Sequence, residues 1–164
     1  MRLFRRLVMG AAVAAAFLFA QGLDAAQARD VVAMRGYAPG SIIVSTSQRM
    51  LYFVLPGERA VRYPVGVGRA GLAWHGHARI ARKDLRPAWT REPGRSEVIP
   101  SGSPRNPMGA AAMGLDRGNY AIHGTNDPSS IGGYVSHGCI RMHNQDVLDL
   151  YYRAPVGTNV YVVQ

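Results

Sequence analysis

The stretch Val135-Ser-His-Gly-Cys-Ile-Arg141 holds the only cysteine of a 164-residue chain. A thiol is a nucleophile only as its thiolate, and a neighbouring imidazole can take its proton. Three histidines lie near in sequence: His123, His137 and His143. His137 and Cys139 are two residues apart, so in extended chain their side chains share a face. Gly138 between them bends the chain and lets backbone approach a ligand closely. A cysteine just after such a turn has backbone N–H groups free to face a developing oxyanion. His123 closes a predicted strand and is followed by a turn, Gly124-Thr125-Asn126-Asp127-Pro128. The segment from there to Val135 is long enough to fold back and lay His123 beside Cys139. His143 reads as a surface residue next to a helix start.

Other chemistries compete for the same residues. His123, His137, Cys139 and His143 are all metal-ligand types, but their spacing lacks the paired ligands usual in structural zinc sites. His75-Gly76-His77 is a further H-x-H pattern and reads as a loop. A serine triad on Ser136 and His137 fails, because adjacent residues in a strand point to opposite faces. A nucleophile pair and a metal site both remain open on spacing alone.

The elements that must position these residues are short. Ser41–Ser47 is β-branched, and Met50–Leu55 is followed by a Pro56-Gly57 turn. Ala60–Val67 alternates through Val61, Tyr63, Val65 and Val67. Ala78–Ala81, Asn119–His123 and Asn159–Val163 are further strand candidates. Short strands between turn signals indicate a mainly β domain, a sandwich or barrel. One helix is expected, with Asn144 as N-cap, Asp146 in the first turn, and Val147, Leu150 and Tyr151 on one face before Pro155 and Gly157. Residues 86–109 hold five of the ten prolines, with Trp74 and Trp89 flanking their start. So long a segment reads as a lid, a binding loop or a disordered stretch.

The N-terminus sets the compartment. Arg2, Arg5 and Arg6 precede the apolar run Leu7–Ala20, and Ala26-Gln27-Ala28 fits a small-x-small cleavage site. This is the pattern of a secretory signal peptide, with too short an apolar run for a membrane anchor. Losing residues 1–28 removes three arginines and one aspartate, so the net charge of +9 falls to +7. An exported basic chain rarely meets nucleic acid, and the carboxylate-rich cell envelope is the better partner. Cysteines in an oxidising compartment normally pair, and Cys139 has no partner in the chain. That suggests a reactive thiol or an intermolecular disulfide, and a buried, inert cysteine stays open on this observation alone.

Ile122-His-Gly-Thr125 followed by Ser136-His-Gly-Cys-Ile-Arg141 resembles the signature of the L,D-transpeptidase catalytic domain, also called the YkuD domain. The resemblance runs from about residue 40 to 163. It takes in LYFVLPG at 51–57, GVGR at 66–69 and NPMG at 106–109, and it is looser over 70–105. It implies an L,D-transpeptidase-type β-sandwich or barrel with one short helix after the catalytic cysteine. The division is then a signal peptide at 1–28, a linker at 29–39 and the catalytic domain at 40–164. It also implies no cofactor, no metal, and peptidoglycan stem peptides as substrate. By similarity, Cys139 is the nucleophile, His123 the general base and acid, and the Gly124 carbonyl orients the imidazole. His137, Gly138 and Cys139 would offer N–H groups to the oxyanion. Arg141, Tyr120 and Ser136 would contact substrate, Arg141 through a carboxylate. A cysteine thioester followed by aminolysis gives a crosslink between two third-position residues, and the opposed proton transfers suit a histidine titrating near neutral pH. Water as acceptor would make the chain a carboxypeptidase, and an envelope protein as acceptor would make it an anchoring enzyme. An inactive wall-binding module is a further reading. Stable membrane insertion is not expected once the signal is removed.

Overall fold

Alternating apolar residues dictate most of the strands. In this computed structural model, which describes residues 30–90 and 97–164, Val61, Tyr63, Val65 and Val67 all point into the core with no more than 4% exposure. They lie on the ten-residue strand β4. In chain order the strands are β1 (Val31–Ala33), β2 (Ile42–Ser45), β3 (Met50–Leu55), β4 (Arg59–Gly68), β5 (Gly76–Leu85), β6 (Trp89–Thr90), β7 (Val98–Ile99), β8 (Ala111–Leu115), β9 (Ala121–His123), β10 (Tyr134–Ser136), β11 (Ile140–Met142) and β12 (Asn159–Val163), with helix α1 at Asn144–Arg153. The expected signal segment lies outside the described residues. Val31–Ala33, expected within a linker, instead pairs antiparallel with β4, Val31 opposite Val61.

The main sheet closes on itself. Its order β4-β11-β9-β8-β5-β12-β2-β3 returns to β4 through the β3–β4 pairing. Closure leaves these strands without free edges, and the mainly β barrel agrees with the expected class. β1 and β10 add to β4 from outside the ring. The pairing of β9 with β11 is parallel, with Ile122 opposite Ile140 and His123 opposite Arg141. A parallel pair needs a crossover. Here residues 124–139 supply it, with a 3-10 turn at Pro128–Ser130 and then β10.

β8 was not evident in the sequence. Ala111-Ala-Met-Gly-Leu115 has no β-branched residue, yet all five residues are buried between β5 and β9 and beneath α1. Tertiary context decides such a strand, since β-propensity mostly measures fit to a half-buried surface. The helix falls where its pattern placed it, but His143 rather than Asn144 is its N-cap. The half-buried His143 makes no side-chain cap bond there, and Asn144 spends its amide on other segments. Val147, Leu150 and Ala154 are fully buried in the core, and Tyr63 donates from its hydroxyl to Asp149 Oδ2 at 2.5 Å.

The proline-rich segment is ordered where described. β6 and β7 pair as a two-stranded ladder, Trp89 opposite Ile99. Buried Asn106 pins its base: Nδ2 donates to Pro87 O at 2.9 Å and Pro100 O at 3.2 Å, and Oδ1 accepts from Met108 N at 2.9 Å. No helix among the described residues is long and apolar enough to cross a membrane.

Because Leu150 is fully buried, Leu150→Ala is expected to lower the unfolding free energy by about 2–5 kcal/mol through lost transfer energy and a cavity. Urea denaturation followed by circular dichroism measures it.

Candidate active site

The β9–β11 pair places the chemistry. Ile122 and Ile140 both enter the core, with 0% and 2% exposure. Strand side chains alternate, so His123 and Arg141 turn to the opposite face, and Cys139, one residue before β11, is directed to that face with them. The register sets Arg141 opposite His123, and Cys139 stands two residues before Arg141 on the neighbouring segment.

The resting contacts of the two groups are specific. His123 is buried, with 4% exposure, and its Nδ1 lies 2.7 Å from Gly124 O. A carbonyl only accepts, so Nδ1 carries the proton and donates, which leaves Nε2 bare. Cys139 is half-buried and its thiol donates to Asn119 O at 3.9 Å. No hydrogen bond joins it to His123 among the described residues. Catalytic hydrogen bonds are often formed only once substrate is bound.

The turn before Cys139 is held from three sides. Ser136 Oγ donates to Cys139 O at 2.6 Å and accepts from Gly138 N at 3.0 Å. Trp74 Nε1 donates to Gly138 O at 3.0 Å. Gly138 has φ +121°, and a Cβ there would meet the Tyr120 ring at 2.4 Å. Both backbone and space therefore require glycine. Tyr120 in turn stacks on Trp74, with centroids 5.4 Å apart and planes 5° apart.

Several expected roles change. The Gly138 N–H is taken by Ser136 Oγ and is not free for an oxyanion. Ser136, expected to contact substrate, is 2% exposed with its hydroxyl bonded within the turn to Cys139 O and Gly138 N. Tyr120 packs beneath the turn and against Trp74. The His137 side chain is exposed and turned to Arg69, whose Nη2 donates to His137 Nε2 at 2.6 Å. Among the described residues no three His, Cys, Asp or Glu side chains cluster as metal ligands would. In the His75-Gly76-His77 pair, His75 Nε2 meets Thr46 Oγ1 and His77 Nε2 meets Asn159 Oδ1. In the sequence Trp74 stands out only as an aromatic flanking the start of the proline-rich segment, and nothing in its spacing announces the bond to Gly138.

The electrostatics differ from a preformed ion pair. Burial pushes His123 down to about 4, and the Arg141 charge adds to this against the carbonyls of Gly124 and Pro107. Burial pushes the Cys139 thiol up, against the Ala121 N–H and Arg141. A histidine titrating near neutrality was expected; the dry site instead keeps both partners neutral at rest. Arg141 Nε is buried without a hydrogen-bond partner among the described residues. A cavity of about 610 Å³ lies nearby, lined by Arg86, Ser103, Thr125, Asn144 and Tyr152 among others, but neither His123 nor Cys139 lines it.

The comparisons with known proteins can be set on this geometry. The profile of the L,D-transpeptidase catalytic domain, YkuD, matches residues 39–162. The chain belongs to that family. It is 37% identical over 135 residues to a probable L,D-transpeptidase of Escherichia coli K12, ErfK/SrfK, covering 74% of this chain and 43% of the relative. It is 37% identical over 127 residues to YqjB of Bacillus subtilis, named for the same activity, covering 74% of this chain and 69% of that one. The chain thus spans less than half the length of the Escherichia coli relative. Among solved structures, a mutant Enterococcus faecium L,D-transpeptidase superposes with TM-score 0.61 at 19% identity, over 75% of this chain and 49% of that chain. One from Mycobacterium tuberculosis H37Rv gives 0.60 at 17% identity, over 76% and 57%. At such identity the likeness shows the fold alone.

A neutral resting pair makes the free thiol sluggish. Alkylation of Cys139 by iodoacetamide is expected to rise about tenfold per pH unit through neutrality, with no plateau until above the ordinary thiol range. A plateau already present between pH 5 and 8 would reveal a standing thiolate–imidazolium pair.

Proposed function

We propose that this chain is an exported cysteine L,D-transpeptidase that acts on peptidoglycan stem peptides. The observation that carries the reading is the shared face of β9 and β11, where an oriented imidazole, a half-buried thiol and an unpartnered arginine Nε converge. Cys139 Sγ attacks the carbonyl of the third stem residue as its proton passes to His123. His123 returns that proton to the amine of the departing terminal D-alanine, and a thioester remains. The side-chain amine of a second stem peptide then attacks the thioester, giving its proton to His123. The C–S bond breaks, and the sulfur recovers the proton. The N–H groups of His137 and Cys139 take the oxyanion, since that of Gly138 is occupied. Arg141 binds a substrate carboxylate, which satisfies the buried Nε.

Buried neutral partners suit this cycle. Neither group enters with a charge that must be neutralised, and the proton leaves sulfur for the imidazole only as the carbonyl is attacked. A thioester also remains reactive towards amines, which a serine ester would be less so. Export rests on the N-terminal pattern of Arg2–Ala28, and the wall as partner on that pattern together with the basic charge.

Purified mature protein given tetrapeptide muropeptides should yield crosslinked dimers joined at their third residues and release D-alanine, with both lost in Cys139→Ala. Mass spectrometry reads the products. Tripeptide monomers alone, even with excess amine acceptor, would instead assign hydrolysis. Crosslinking retained in Cys139→Ala would overturn the reading.

A further inference from the structure

The imidazole of His123 is oriented by Gly124 O, but a carbonyl orients a ring only if its own peptide plane is fixed. Gly124 C=O and Thr125 N–H belong to one planar trans peptide unit and point in opposite directions. Thr125 N–H donates to Asn144 Oδ1 at 3.1 Å. Holding that N–H towards α1 turns the Gly124 carbonyl the other way, onto His123 Nδ1 at 2.7 Å. The Asn144 amide closes the clamp from its other end, since Nδ2 donates to Thr125 O at 2.9 Å.

The same side chain also reaches the segment over the histidine. Asn144 Oδ1 accepts a second bond, from Ala110 N at 3.0 Å. This ties the Asn106-Pro-Met-Gly109 stretch, whose Pro107 carbonyl faces the His123 ring, to the Gly124–Thr125 peptide. The clamp is tight. A Cβ on Gly109 would lie 2.2 Å from Asn144 Oδ1, and one on Gly124 would lie 2.3 Å from it. The amide oxygen and the backbone it gathers together leave room only for glycine at both positions, since a Cβ on Gly109 would also lie 2.3 Å from Thr125 N and one on Gly124 2.9 Å from Ala110 N. Asn144 makes three hydrogen bonds with a side chain that begins a helix yet caps nothing in it. An asparagine placed for the helix alone would not be spent in this way.

We propose that Asn144 is a positioning residue for the general base. It fixes the Gly124–Thr125 peptide plane so that His123 keeps its proton on Nδ1 and presents Nε2 unprotonated to the chemistry. Coupled hydrogen bonds along the path from the Asn144 amide through the peptide to the imidazole polarise one another. The wrong tautomer would place a proton where the base must accept one. The inference rests on the acyl-transfer reading only for its effect on rate; the tautomer is a property of the resting protein.

Two variants and two readouts test it. Asn144→Ala removes all three bonds. Asn144→Asp keeps acceptors for Ala110 N–H and Thr125 N–H but loses the donor to Thr125 O. The ring-nitrogen NMR shifts of nitrogen-labelled protein report the His123 tautomer, and acylation of Cys139 by a carbapenem, followed by intact-protein mass, reports the rate. Wild type should show Nδ1–H alone. Asn144→Ala should show mixed tautomers and an acylation rate at saturation reduced about 10–100-fold, the range typical when orienting partners of a functional histidine are removed, with the half-saturating concentration little changed. Asn144→Asp should retain Nδ1–H and recover most of the rate. A folded Asn144→Ala that keeps the Nδ1–H tautomer and the wild-type rate overturns the proposal. So does a variant weakened only in half-saturating concentration. Should Asn144→Ala not fold, Asn144→Ser, too short to span both N–H groups, takes its place under the same criteria. A wild type that never acylates would sink the enzymatic reading and leave the tautomer readout to decide the role of Asn144.

Discussion

The parallel pairing of β9 with β11 is the constraint on which the rest of the structure depends. Two three-residue strands, far apart in sequence, meet in one register, with Ile122 against Ile140 and His123 against Arg141. The two isoleucines bury themselves in the core, and burial of each contributes about 1.5–3 kcal/mol. A slip of β9 by one residue would turn Ile122 from the core and carry His123 to the wrong face. Hydrophobic burial on one side of the strands thus fixes the chemistry on the other. The surrounding elements refine this placement. Ser136, Trp74 and Tyr120 shape the turn before the thiol, and Asn144 orders the peptide after the histidine.

Dryness is the second physical theme. Burial moves His123 and Cys139 in opposite directions, and in each case towards the neutral form. Arg141 stands opposite His123 and deepens this effect on the imidazole, while it assists the thiolate. One arginine therefore favours proton release from sulfur but disfavours its capture by nitrogen. An anion that offset the Arg141 charge would ease protonation of His123 and, by the same measure, hinder ionisation of Cys139.

Much of this was legible in the sequence, for identifiable reasons. Strands with alternating β-branched residues, such as β4, and the apolar face of α1 announced themselves through periodicity. The Ser-His-Gly-Cys stretch and the distant His123 carried the family resemblance, and the family profile matches residues 39–162. What stayed hidden depends on three-dimensional partners. β8 has an alanine- and glycine-rich sequence and becomes a strand only between its neighbours. Asn144 looked like a helix cap, because asparagine before an apolar run usually is one; its bonds go instead to segments 19 and 34 residues away. The neutrality of His123 followed from burial that no local pattern records. The hydrogen bonds that occupy the Ser136 hydroxyl depend on a turn that no local pattern records.

The role of His123 as base for a neutral thiol is tested most directly by following acylation of Cys139 with a carbapenem across pH, by intact-protein mass, in wild type and in His123→Ala. Without the imidazole, acylation at neutral pH is expected to fall by about 100-fold or more, the low end of general-base contributions, and to recover as rising pH ionises the thiol. Wild-type rates in His123→Ala at neutral pH would show that the sulfur needs no such partner, and would contradict the assignment at its centre.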